Sequence, residues 1–250
     1  MGALVFANDY RNPVLFAKEI ATLDVLSGGR CDVGLGTGWY QKDYDMLGIP
    51  LDSAANRVGR LAEAVRLLKR LWTDESVDYD GRFYRTKGAV VLPRTVQRPH
   101  PPILIGGNGP SMLRLTGRYA DIVSITRPIG RPDADTSWHA LNSRAAFESR
   151  IDIVRAAAGD RFGSLTINAD IEIRITDDPG GAYGAIAEKN GVTAAEVEDS
   201  PLYLFGPLPS LRRQLLERRE RYGLCFYSAA ETDMETLSPL AKMMVELDAL

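Results

Sequence analysis

Between Val14 and Leu26 apolar residues recur at helical spacing, at Leu15, Ala17, Ile20, Leu23 and Leu26, which predicts an amphipathic helix. Pro13 stands at its first position and Gly28-Gly29 ends it. The apolar run Ala3 to Ala7 reads as a strand before it, with Asn8 to Pro13 as the turn between. The same alternation continues. Cys31 to Gly36 predicts a strand, Thr37 to Ala55 a loop, and Arg57 to Trp72 a second amphipathic helix. Val77 to Leu92, centred on Asp80-Gly81, predicts a small hairpin, an insertion over about 76–93. Then come strand Ile103 to Ile105, helix Ser111 to Arg118, strand Ile122 to Ile125 and helix Ala145 to Ala158. Strand Ile167 to Ile175, helical stretches between Gly180 and Glu198, helix Pro209 to Tyr222, strand Leu224 to Tyr227 and a closing helix from Pro239 complete the chain.

Repeated strand–helix units predict a parallel sheet with helices outside it. About six strands suit such a sheet, whereas a closed β/α barrel needs eight. A doubly wound sheet accepts six, so periodicity alone leaves both architectures open.

Composition narrows function more than fold. The 250 residues, 45% hydrophobic and 25% charged, suit a single globular domain with a sizeable core. A net charge of -3 gives no basic stripe to displace counterions from phosphates, so nucleic acid is not an expected partner. Cys31 and Cys225 lie far apart in apolar runs and read as buried free thiols of a reducing compartment. Met1 to Ala7 lacks the features of a signal peptide, and no stretch approaches the ~20 apolar residues that span a bilayer. The cytoplasm is the expected location, with no membrane partner. Two histidines, two distant cysteines and no acidic cluster at ligand spacing argue against a metal site. His100, between prolines before a strand, reads as structural, and His139 as a loop residue. No Gly-x-Ser-x-Gly elbow supports serine hydrolase chemistry.

Four segments carry a resemblance: Arg11-Asn12-Pro13-Val14-Leu15-Phe16-Ala17-Lys18-Glu19, Leu23-Asp24-Val25-Leu26-Ser27-Gly28-Gly29-Arg30, Gly34-Leu35-Gly36-Thr37-Gly38-Trp39 and Gln97-Arg98-Pro99-His100-Pro101-Pro102-Ile103-Leu104-Ile105-Gly106-Gly107. In this order and spacing the chain resembles the luciferase-like flavin and deazaflavin oxidoreductases, most closely the actinobacterial branch that uses coenzyme F420. The resemblance extends over almost the whole chain. It implies an α/β fold of the TIM (β/α)8 type, in which Ala3 to Ala7 is the third of eight strands and strands three to eight are present. A misjudged start codon is the expected explanation of the two strand–helix units that would precede Met1.

In β/α barrels the site lies at the carboxyl ends of the strands. The turn Gly106-Gly107-Asn108-Gly109 precedes a helix, where backbone N–H groups and the helix dipole favour a phosphate. The resemblance implies that this turn holds the coenzyme phosphate, with the backbone from Ser124 through Thr126 and Arg127 helping. A glycine turn needed for its conformation alone is the competing interpretation. The Gly34-x-Gly36-x-Gly38 spacing fails the dinucleotide motif by one residue and opens a loop rather than a helix. The resemblance instead places Thr37, Gly38 and Trp39 against the tricyclic ring; for Trp39 and Tyr40 plain packing is the alternative. At Ala7-Asn8 it implies a non-proline cis bond under the ring, with Asn8 bonding the ring's polar edge, against a simple turn. Arg11, Arg57, Arg127 and Arg131 could meet the anionic coenzyme tail, though each taken singly reads first as a solvated surface charge.

The implied activity is F420-dependent hydride transfer to or from a small organic substrate, in a homodimer. The alternatives are an FMN-dependent monooxygenase and a non-catalytic ligand-binding or partner subunit. The loop Pro128 to Asn142 is expected to shape the substrate pocket.

Overall fold

The protein is described by a computed structural model covering residues 2–126, 137–229 and 234–248. It divides into two compact units, Met1–Val123 with Ala156–Leu165, and Ser124–Arg155 with Thr166–Leu250.

The first unit opens with β1 (Phe6–Ala7), a 3-10 turn over Asn8–Tyr10 and α1 (Pro13–Ser27). Asn12 caps α1 by accepting the Val14 N–H at 2.9 Å, and Gly28, at φ +64°, closes it in the left-handed conformation that glycine tolerates. β2 (Val33–Gly36), α2 (Gln41–Leu47) and α3 (Ala54–Thr73) follow, then the hairpin strands β3 (Val77–Asp80) and β4 (Arg85–Ala89), then β5 (Ile103–Gly106) and α4 (Pro110–Tyr119). β1 pairs with β2 and β2 with β5, all parallel. β2 and the first three residues of β5 are buried, as strands covered on both faces must be. The core beneath them gathers Ile20, Leu35, Leu61, Leu68 and Ile103, with Trp72 fixed by its indole N–H on the Ala17 carbonyl at 3.0 Å.

α2 lies inside the stretch expected to be a loop. Its seven residues carry too little periodicity to be read, but fully buried Tyr44 anchors it and Gly48, at φ +67°, stops it. The hairpin sits where the sequence placed it. Its turn is held by Glu63 of α3, which accepts the N–H groups of Arg82, Phe83 and Tyr84 at 2.9, 2.9 and 3.3 Å. β1 is shorter than the Ala3 to Ala7 run.

β6 (Ile122–Ile125) leads into the second unit, with α5 (Trp138–Asn142), α6 (Arg144–Ala158), β7 (Thr166–Ile175), α7 (Pro179–Asn190), α8 (Ala194–Asp199), β8 (Tyr203–Gly206), α9 (Leu208–Tyr222), β9 (Leu224–Ala229) and α10 (Met234–Asp248). The six strands read from the sequence are all present. β8 was not foreseen: four apolar residues between Pro201 and Pro207 show no alternation that marks a strand. β7 accounts for it. Its first half pairs in parallel with β9 (Ile167↔Leu224 to Ile171↔Ala229) and its second half with β8 (Glu172↔Tyr203 to Ile175↔Gly206). The closing helix starts at Met234 rather than at Pro239, which lies inside it and removes one backbone donor there.

Candidate functional site

Register aligns the carboxyl ends of the first unit's strands. Ala7 faces Gly36 and Leu35 faces Ile105, so Asn8, Thr37 and the Gly106–Gly109 turn all follow one edge. Three of the segments singled out in the sequence therefore converge, and their backbones define the candidate site.

Asn8 is buried, at 7% exposure, and its amide donates to the Tyr84 hydroxyl at 3.0 Å, which ties the edge to the hairpin. The Ala7–Asn8 bond is not cis; among the described residues the cis bonds are Leu4–Val5, Leu92–Pro93 and Arg98–Pro99. The non-proline cis bond thus lies three residues before the expected position, ahead of β1 rather than at its end. Gly38 takes φ +71°, and a Cβ there would stand 2.2 Å from the Tyr44 hydroxyl oxygen, so the chain passes over Tyr44 only as glycine. The Thr37 hydroxyl donates to the Gly38 carbonyl at 3.3 Å. Trp39 is 48% exposed, tilted against Tyr40 at 5.2 Å between ring centroids.

At the end of β5, Gly107 at φ +157° brings the chain close to α4, where its Cβ would lie 3.1 Å from that of Met112. Asn108 is half-buried, and Gly109 is the N-cap of α4 with Pro110 next. No side chain caps this helix, and a Cβ at Gly109 would meet open space. The first backbone N–H groups of a ten-residue helix are thereby left for an anion, where the dipole also favours one. Thr126 follows β6 in the second unit and is half-buried. Arg127 and Arg131 lie outside the described residues.

A charged cluster beside Asn8 was not legible in the sequence. Asp9 accepts from Arg60 at 2.7 Å, and Arg60 also pairs with Asp52. Burial opposes the Arg60 charge, but bonds to the two carboxylates outweigh it and raise its pKa. The Tyr44 hydroxyl lies 3.2 Å from Asp9 Oδ2 and 3.1 Å from the Thr37 carbonyl, and shares its one proton between them. Burial, then the Asp9 charge, pushes the Tyr44 pKa up, so this phenol stays protonated. Beside the cluster opens a cavity of about 360 Å³, lined by Asp9, Tyr10, Arg11, Asp52, Arg60 and Tyr84 among others.

Arg57 is a correction to the surface interpretation: it is 8% exposed and donates to the Asp52 carbonyl. Arg11 remains exposed and pairs with Glu19 at 3.4 Å. His100 is structural as expected, with Nδ1 2.9 Å from the Pro101 carbonyl and its ring near Trp72. His139, expected in a loop, lies on α5 and pairs with Glu196 at 2.8 Å on the surface; of the two cysteines expected to be buried Cys31 is, whereas Cys225 is exposed. No group of metal-ligating side chains and no helix long and apolar enough to cross a membrane occur among the described residues.

Residues 2–179 match the family described as luciferase-like monooxygenase. The chain is 36% identical over 169 residues to an F420-dependent glucose-6-phosphate dehydrogenase of Kineococcus radiotolerans, an alignment covering 67% of this chain and 46% of that one. It is 29% identical over 171 residues to an FMNH(2)-dependent dimethylsulfone monooxygenase of Pseudomonas putida, covering 67% and 43%. The aligned part thus spans less than half of either curated relative. Among solved structures, the coenzyme F420-dependent tetrahydromethanopterin reductase from Methanopyrus kandleri superposes with a TM-score of 0.70 at 17% identity, covering 97% of this chain and 79% of that one. The long-chain alkane monooxygenase LadA gives 0.73 at 13% identity, covering 98% and 68%. At these identities the superpositions establish an α/β fold of the luciferase-like barrel type, and with the match over residues 2–179 the chain belongs to the luciferase-like monooxygenase family.

Proposed function

We propose that this chain serves F420-dependent hydride transfer to or from a small organic substrate. The observation that carries it is the uncapped α4 N-terminus behind Gly106–Gly109, level with Thr37–Gly38 and Asn8 on one strand edge. Such a terminus fits a coenzyme phosphate: its donors are free of side-chain caps and the turn has no Cβ at three of its four positions. The N–H groups of Ser111 and Met112 would hold the phosphate, and the backbone at Thr37 and Gly38 would line the ring. When bound, the coenzyme supplies hydride at the ring carbon that replaces flavin N5. The protein's part is orientation and water exclusion. Thr126 and Arg127 are proposed as further phosphate contacts, and Trp39 as a ring contact. The 36% identity to an F420-dependent relative, against 29% to the FMNH(2)-dependent one, favours F420 at equal coverage of this chain.

An FMN-dependent monooxygenase is the alternative, since that alignment spans as much of the chain. Titration of the purified protein with F420 and separately with FMN, by fluorescence quenching and thermal shift, distinguishes them. Tighter binding of F420 is expected. Preference for FMN replaces the coenzyme assignment, and binding of neither overturns both.

A further inference from the structure

Tyr44 of α2 is fully buried, and both partners of its hydroxyl lie just past strand ends of the candidate site. Asp9 Oδ2, two residues after β1, is 3.2 Å away, and the Thr37 carbonyl, directly after β2, is 3.1 Å away. Asp9 is held in turn by Arg60 of α3 at 2.7 Å. The Tyr10 ring packs edge-on against that of Tyr44, 5.3 Å between centroids. The hydroxyl is thereby fixed in place, and because the phenol stays protonated it meets the Thr37 carbonyl as a donor.

That contact sets the direction of the next backbone group. The Thr37–Gly38 bond is trans, and in a planar trans peptide the C=O and N–H point in opposite directions. A Thr37 carbonyl turned toward Tyr44 therefore turns the Gly38 N–H away from Tyr44 and from the Asp9–Arg60 pair behind it. Gly38 has little freedom to rotate that N–H elsewhere, since at φ +71° it lies against the Tyr44 hydroxyl with no room for a Cβ. Its carbonyl is engaged by the Thr37 hydroxyl at 3.3 Å, whereas its N–H makes no hydrogen bond among the described residues. Gly38 is only half-buried, so a ligand at the strand edge can reach it.

We propose that Tyr44 is a positioning residue of the coenzyme site: through the Thr37 carbonyl it aims the Gly38 N–H at an acceptor atom of the tricyclic ring. This role presupposes the coenzyme assignment. Tyr44, being buried, acts only through the backbone. The test is Tyr44→Phe, which keeps the ring and removes the hydroxyl, titrated with F420 and with FMN at a temperature where circular dichroism shows it folded. Trp72→Phe serves as the comparison, because it also loses one buried hydrogen bond of the first unit, to the Ala17 carbonyl. Both variants lower Tm. Only Tyr44→Phe raises the coenzyme Kd, about three- to tenfold, and moves the visible absorption of the bound coenzyme toward that of the free one. In wild type the Gly38 amide exchanges without protection when free, and bound coenzyme slows it at least tenfold, a measurement that stands even where Tyr44→Phe fails to fold. An unchanged Kd and spectrum in Tyr44→Phe, an equal loss in Trp72→Phe, or a Gly38 amide that the coenzyme leaves unprotected overturns the positioning role while the coenzyme assignment stands. Binding of neither coenzyme by wild type removes the assignment and this role with it.

Discussion

Asp24 shows how a residue can mark a family and still do no chemistry. It is fully buried, and its carboxylate accepts the N–H groups of Val96 and Gln97 at 2.6 and 3.0 Å and the Gln97 side-chain amide at 2.7 Å. That amide also reaches the Cys31 carbonyl at 2.7 Å. Two of the four recognisable segments, Leu23 to Arg30 and Gln97 to Gly107, are therefore bound to each other through Asp24 and Gln97. Asp24→Ala leaves buried donors unpaired and is expected to cost about 3 kcal/mol in urea unfolding, with coenzyme affinity unchanged in the molecules that remain folded. Gly38 is constrained twice, by its positive φ and by the Tyr44 hydroxyl. Gly38→Ala should cost about 2–4 kcal/mol, and the Gly38→Ala/Tyr44→Phe pair should recover part of it, because the phenol oxygen is the atom the new methyl meets.

At the scale of elements, α4 and α8 make opposite use of their N-termini. α8 is closed by its own capping box: Glu196 accepts the Thr193 N–H and hydroxyl, each at 2.8 Å, while its own N–H reaches Thr193 Oγ1 at 3.3 Å. The Thr193 backbone bond first, then His139 and the Thr193 hydroxyl, pull the Glu196 pKa down to about 2 from 4.5. A depressed carboxyl pKa stabilises the fold above its unfolded value and loses that contribution as pH falls through the folded one. Amide protection factors in α8, taken relative to the intrinsic exchange rate at each pH, should fall as pH falls from about 4.5 to 2, and Glu196→Gln should remove that dependence. A carboxyl resonance titrating near 4.5 would contradict the cap. α4, by contrast, ends in Gly109 with no cap and open space around it. Gly109→Asp should cap the helix, raising stability by a few tenths of a kcal/mol. The same carboxylate should weaken coenzyme binding by about tenfold or more if the phosphate sits there. Unchanged binding would remove α4 from the site.

For the whole molecule, the coenzyme assignment becomes a stability statement. At a free concentration 100 times Kd, the coenzyme should raise unfolding free energy by about 2.7 kcal/mol. The protection from hydrogen exchange should concentrate at the ends of β1, β2 and β5. The chain's strand–helix order and its glycine-bearing segments were readable because each depends on local chemistry: periodicity, a cap, a stop, a turn. Asn12, Pro13 and Gly28 framed α1 in the sequence as they do in three dimensions.

The sequence by itself determined the family, six of the parallel strands, the hairpin and the backbone turns that crowd the candidate site, since all of these are written in spacing along the chain. It could not determine partners distant in the chain. That Asp9 meets Arg60 and Tyr44, that Arg57 is buried and that β7 is long enough to support β8 were decided only by tertiary structure. Each is a contact between side chains or strands far apart in sequence, and burial, which sets the strength of a charge and the need for its partner, exists only once the chain has packed.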